Sequence, residues 1–209
     1  MNILIADDHA ILRRGLRHIL TDGLSDANVS EAQNGGEVLR LLRQRTFDVL
    51  ILDINIPGAT GLEVVRDVRH DYPWLPVLML SVYPEEQYAL RALKAGASGY
   101  LPKESAPEEL VKAVLKVIGG GKYITASIAE QMAEALQDDA SKPLHETLSD
   151  REFQVMRLLA TGKTISEIAV DLSLSVKTIS TFRARLLTKM HFKNNAELIH
   201  YVTHHELLD

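Results

Sequence analysis

The sequence predicts an α/β doubly wound domain with a five-stranded parallel sheet, followed by an all-α domain. Three observations carry this. In the first 120 residues, short β-rich runs alternate with segments of helical spacing. Three of those runs are almost continuously apolar, as expected of strands buried on both faces. From Thr147 onward the pattern is helical throughout, with three Ser/Thr start signals.

Taken in order, the strands are read at 2–6 (NILIA), 27–31, 48–52 (DVLIL), 76–81 (PVLMLS) and 98–101. The helices that follow them are read at 10–20, 36–44, 62–71, 85–95 and 107–118. Five such units imply right-handed crossovers and helices on both sides of the sheet. Gly119, Gly120 and Gly121 stop the last helix. A helical stretch at 126–136 leads into DDASKPLHE (138–146), polar and broken by Pro143, which reads as an interdomain linker. Ser149 with Glu152, and Thr164 with Glu167, fit the capping box, and Ser175 caps a third helix. The helix at 164–172 turns Ile168, Ala169 and Leu172 inward; a tight turn at 173–175 leads into a helix at 176–190 whose inner face holds Val176, Ile179, Leu186 and Met190. A last helix is read at 195–205. The domain division is therefore 1–121, a linker helix and linker at 122–146, and 147–209.

Composition excludes several classes. With 46% hydrophobic and 24% charged residues, the chain is neither disordered nor fibrous. No apolar run approaches the ~18 residues of a membrane span. The start, MNILIADDHA, has no basic region and meets Asp7 and Asp8, so it is not a secretory signal. The absence of cysteine excludes disulfides and thiolate metal sites and fits a reducing compartment, so a cytoplasmic protein is expected. A net charge of −5 argues against nucleic acid, but the average misleads. Residues 1–145 hold 15 bases against 20 acids, residues 146–209 hold 8 of each, and 172–196 contains five bases and no acid. Any basic surface is local and near the C-terminus.

The informative side chains stand where strands end. Asp7 and Asp8 follow the first strand, Asp53 the third; Ser81 closes the fourth, and Lys103 lies just past the fifth. In open parallel sheets, ligands bind beyond the carboxyl ends of the strands. Three converging carboxylates repel one another unless a cation joins them, and oxygen donors suit Mg²⁺. Lys103 and Ser81 supply a positive charge and a hydroxyl for a phosphoryl group, and a central carboxylate can be the nucleophile that accepts it. Singly, Asp8 is an ordinary helix cap and Lys103 an ordinary surface lysine; it is their gathering on one edge that carries the reading. No G-x-G-x-x-G follows the first strand, which argues against a dinucleotide site.

Together the acid pair, LDINIPGATG, LSVY and GASGYLPK resemble the receiver domain of two-component response regulators, over about 120 residues. The resemblance implies that Asp53 is the phospho-acceptor and that Asp7, Asp8 and Asp53, with the backbone carbonyl of Asn55, hold Mg²⁺. It implies that Ser81 and Lys103 bind the phosphoryl oxygens, and that Tyr100 is the aromatic switch coupled to Ser81. Glu104 departs from the pattern, because many receivers have proline after this lysine. A cis bond before a non-proline residue costs ~2.5–4 kcal/mol, so the loop geometry is not carried over. A phosphohydrolase of the haloacid-dehalogenase type also forms an aspartyl-phosphate but expects D-x-D after the first strand; here Asp53 ends the third and Asn55 follows it.

In the second domain, LSDRE, GKTISEIA, LSVKTIS and RLLTKM resemble the DNA-binding domain of NarL/FixJ-class regulators, also called LuxR-type. Two short helices joined by a tight turn form a helix-turn-helix, the second helix entering the major groove. By helical phase Lys177, Ser180, Thr181, Ala184 and Thr188 share the outer face, with Arg185 and Lys189 flanking it to meet phosphates, and the resemblance places Lys177, Thr178, Ser180, Thr181, Ala184 and Arg185 in the recognition helix. Phe182 stands where the family often has histidine or tyrosine, so any backbone hydrogen bond made there is lost. The last helix is the one that pairs two subunits on DNA in this family. The expected protein is a transcription regulator: a sensor histidine kinase phosphorylates Asp53, Ser81 and Tyr100 move inward, and a homodimer binds double-stranded DNA. A constitutive DNA-binding protein fits less well, since atypical receivers usually lose an acid or the lysine.

Overall fold

The computed structural model describes residues 1–83, 85–137, 143–205 and 207–208. Residues 138–142 of the expected linker lie outside the described residues. The chain divides into two compact units, Met1–Ala133 and Glu134–Asp209.

The first unit alternates β1 (Asn2–Ala6), α1 (Ala10–Gly23), β2 (Asn28–Ala32), α2 (Gly35–Gln44), β3 (Val49–Asp53), α3 (Gly61–Asp71), β4 (Val77–Ser81), α4 (Glu85–Ala95), β5 (Gly99–Pro102) and α5 (Ala106–Ile118). All strand pairs are parallel, in the order β2-β1-β3-β4-β5. β3 and β4 are buried at every position, which is why their sequences read as unbroken apolar runs. Side chains alternate across the pleat. Ile3, Ile5, Val49, Ile51, Leu78 and Leu80 pack with Leu16, Leu20, Leu110 and Val114 of α1 and α5. Leu4, Leu50, Leu52 and Met79 are left for the opposite face, all fully buried. The order reverses direction between β1 and β3, so a crevice opens at their carboxyl ends.

Boundaries moved where tertiary contacts outweigh local signals. α1 runs on to Gly23, three residues past its predicted end, where a β-carbon would collide with Val111 of α5. β2 and β3 each sit one residue later than read, so Asp53 is the last residue of β3 rather than the one after it. α3 opens on a capping box that the sequence reading passed over: Thr60 N–H donates to Glu63 Oε2 at 2.7 Å, and Glu63 N–H to Thr60 Oγ1 at 3.1 Å. α5 stops at Gly119, and Gly120 takes φ +83°, as the three glycines predict. α6 (Ala126–Gln137) follows.

The second unit holds α7 (Asp150–Ala160), α8 (Ile165–Asp171), α9 (Val176–Lys189) and α10 (Asn195–His204). Both predicted capping boxes form, and Ser175 Oγ accepts from Thr178 N–H at 3.0 Å. Ile168, Ala169, Leu172, Ile179, Leu186 and Met190 are buried as expected. Val176 is not: it is 50% exposed, and Leu187 is buried on α9 instead. The first turn of α9 projects past the core, so its helical phase alone does not bury it. Arg157 anchors the chain end to α7, its Nε donating to Leu207 O at 2.9 Å.

One ion pair in this unit gives a pH prediction. Burial pushes the Glu152 carboxyl up, but hydrogen bonds from Lys189, at 2.6 Å, and Ser149 outweigh it and hold the group below the ordinary range. A carboxyl lowered on folding stabilises above its unfolded pKa, and that contribution disappears as pH falls through the folded value. The melting temperature of this unit is expected to drop below pH ~4.5, with Lys189→Met flattening the acid limb. An unchanged acid limb in the variant counts against it.

Candidate functional site

The carboxyl edge of the sheet gathers the predicted groups unequally. Asp7 follows β1 and Asp53 ends β3; both are buried. Lys103, which opens a 3-10 turn after β5, reaches between them, with Nζ 2.7 Å from Asp7 Oδ2 and 2.8 Å from Asp53 Oδ2. Burial pushes the Asp53 carboxyl up to about 6, against the charge and hydrogen bond of Lys103, while Asp7 raises it further and a backbone hydrogen bond from Asn55 lowers it. Burial alone would depress the Lys103 ammonium; the two carboxylates outweigh it and raise its pKa. No peptide bond among the described residues is cis, and Lys103 reaches both acids with Glu104 following it.

Asp8 is more exposed and joins the edge through His9, whose Nδ1 lies 2.7 Å from Asp8 Oδ1 and 3.1 Å from Asp7 Oδ1. Asp7, Asp8, His9 and Asp53 each offer a ligand atom within 4.8 Å of the others. Two buried acids and one at the rim, facing a single Lys103, leave negative charge that a hard divalent cation would balance, so this donor set fits Mg²⁺. Asn55 lies two residues beyond β3, its Nδ2 donating to the Tyr83 hydroxyl at 3.0 Å.

Ser81 and Tyr100 both bond to Tyr83. The buried Ser81 Oγ accepts from Tyr83 N–H at 2.9 Å. Tyr100 is already turned inward and buried, its hydroxyl donating to Tyr83 O at 2.8 Å. Tyr83 thus touches both, holds Asn55, and stacks on Tyr88 of α4 at 4.9 Å between ring centroids. It lies within the LSVY motif, yet no periodicity marks it as a junction.

Three other residues escaped the sequence reading. Arg13 is buried, donating from Nη1 to Asp7 O at 2.7 Å and from Nε to Glu31 Oε2 at 2.9 Å. It holds the backbone of the acid pair from α1, a contact that depends on β2. His9 immediately follows the acid pair, which was the one signal available for it. Gly61 has no room for a side chain: a β-carbon there would collide with Asp53 O and lie 2.9 Å from Ile54 Cα. Gly61→Ala is expected to cost about 1–3 kcal/mol, as overpacking does, and to shift the urea midpoint of the first unit. A wild-type midpoint would show that the loop yields freely.

In the second unit, α9 presents Lys177, Ser180, Thr181, Ala184, Arg185 and Lys189 to solvent; Thr178 is half-buried in the cap, its Oγ1 2.7 Å from Ser175 Oγ. Lys189 is committed to Glu152, which leaves it a poorer phosphate contact than its spacing implied. Arg183 Nε donates to Asn195 Oδ1 at 2.8 Å and ties α9 to α10. The turn before α9 contains Ser173 at φ +52°, which reverses the chain in three residues.

Comparison with known proteins decides the family. The profile of the response regulator receiver domain matches residues 3–115, and that of the bacterial regulatory proteins of the luxR family matches residues 146–202. The chain is a response regulator of the NarL/FixJ class. This regulator is 35% identical to the response regulator UvrY of Escherichia coli K12 over 208 residues, 99% of this chain and 95% of the relative. The RcsB structure from Salmonella enterica serovar Typhimurium, bound to promoter rprA in the presence of the phosphomimetic BeF3-, aligns with TM-score 0.64 and 27% identity over 97% of this chain and 98% of RcsB. A structure of two RcsB dimers bound to two parallel DNAs aligns with TM-score 0.58 and 28% identity over 97% and 98%. The response regulator therefore combines a receiver fold with a LuxR-type DNA-binding domain and regulates transcription. No described helix is long and apolar enough to cross a membrane.

Proposed function

We propose that this regulator is switched by phosphorylation of Asp53 in a receiver at 1–121 and binds double-stranded DNA as a homodimer through 147–209, with 122–146 as linker helix and linker. The observation that supports it best is the ammonium of Lys103 lying 2.7–2.8 Å from two buried carboxylates at the crevice of the sheet. The donor is the phosphohistidine of a sensor histidine kinase. An Asp53 carboxylate oxygen attacks phosphorus; the P–O bond forms as the P–N bond breaks, and the leaving imidazole takes a proton from solvent. Later, water attacks the same phosphorus, restoring the Asp53 carboxylate and releasing inorganic phosphate. Asp7, Asp8, Asp53 and the backbone carbonyl of Asn55 would hold Mg²⁺, which would supply charge neutralisation at the phosphoryl oxygens.

Lys103 turns from the Asp53 carboxylate to a phosphoryl oxygen, and the Ser81 hydroxyl leaves Tyr83 N–H to donate to another. Tyr83 then loses one of its anchors while still bonded to Tyr100, so the change passes to the surface of α4. Two subunits paired through α10 read two half-sites, and avidity makes up for the weak affinity of one small module. A phosphohistidine donor and a DNA target fit a cytoplasmic protein.

DNA affinity measured with and without a small phosphodonor and Mg²⁺ tests the regulation. A gain of about 5–150-fold is expected, the usual range of coupling between sites. Identical affinities would make this a constitutive DNA-binding protein.

A further inference from the structure

We propose that α9 selects its DNA sequence mainly by contact with thymine methyl groups, with Thr181 and Ala184 as the specificity-determining residues. The inference rests on the reading that α9 enters the major groove, and concerns what it reads there.

α9 contains no Asn, Gln, Asp or Glu, so the side chains that pair bidentately with adenine or accept from cytosine are missing from it. Its hydroxyls are turned onto the helix itself. Ser180 Oγ donates to Val176 O at 2.9 Å, Thr181 Oγ1 to Lys177 O at 3.0 Å, and Thr188 Oγ1 to Ala184 O at 3.0 Å. A threonine bonded back to the preceding turn keeps its one proton at home and leaves its γ-methyl as the group offered outward. Thr181, Ala184 and Thr188 are exposed and follow one another at spacings of three and four, so their methyls form a single stripe.

The cations frame this stripe. Arg183 and Lys189 are committed within the unit, whereas Lys177 and Arg185 have no ion-pair partner among the described residues. Lys177 and Arg185 therefore supply phosphate affinity at the edges, and the apolar centre matches the C5 methyl, which thymine presents in the major groove.

The test selects duplexes of about 30 base pairs, enough for two half-sites, from a random pool on the full chain, then remakes the selected duplex with deoxyuridine in place of thymine. That exchange removes only C5 methyls. Affinity is expected to fall about fourfold for each methyl contacted, the value of one buried carbon. Thr181→Ser, which removes only the γ-methyl, should weaken binding to the thymine duplex and lose its response to deoxyuridine at one position, a non-additive cycle. Equal affinity for the two duplexes overturns the methyl assignment and leaves the groove reading intact. If instead Lys177→Ala and Arg185→Ala leave affinity unchanged, the groove reading itself fails and the proposal falls with it.

Discussion

Asp53→Asn is expected to abolish phosphoryl labelling by a small phosphodonor such as acetyl phosphate. The substitution keeps the shape of the side chain but replaces the carboxylate, whose oxygen lone pair attacks phosphorus, with an amide that does not. Asp7, the other buried acid of the site, is not placed to take over. Asp7 is held on its side of the crevice by Lys103 at 2.7 Å, by the backbone N–H of His9 at 2.7 Å and, through its carbonyl, by Arg13. Lys103 retains Asp7 as a partner in the variant, so the ammonium is not stranded and the receiver should fold. Intact mass after incubation with donor and Mg²⁺ reads the result. Labelling of the variant to wild-type extent would remove Asp53 from the mechanism.

The Lys177→Ala, Arg185→Ala pair should have the next largest effect. Each cation that neutralises a phosphate releases about one counterion, so the double variant should bind about tenfold more weakly per residue near 0.1 M salt, and the slope of log affinity against log salt should fall by about 1.8. Lys189→Met makes the internal contrast. Its ammonium is 2.6 Å from the buried carboxylate of Glu152, so the change should alter acid stability more than the salt slope. A double variant with wild-type slope moves the DNA surface off α9.

Much of this was legible in the chain because the physics is local. β1, β3 and β4 are buried on both faces, so each had to be an uninterrupted apolar run. Capping boxes at Ser149 and Thr164 need only residues three apart, and both formed. The strand-end acids and Lys103 followed from topology, since every parallel strand delivers its carboxyl end to one edge. Val176 went astray because helical phase says which way a residue points, not whether a core extends to meet it.

The sequence by itself determined the two folds, the acids and lysine of the receiver edge, and the helix-turn-helix with its cluster of bases. Each depends on spacing along one element, or on the rule that parallel strands end together. Tertiary structure alone decided which side chains are engaged. Tyr83 joins Ser81, Tyr100, Asn55 and Tyr88 only because β4, β5 and α4 converge there. Lys189 and Arg183 are taken out of the basic cluster by Glu152 and Asn195, residues 37 and 12 positions away. Gly61 must be glycine because the chain returns against the backbone of Asp53. Hydrogen bonds and close contacts act over about 3 Å, and residues distant in sequence come within that reach only once the chain has folded.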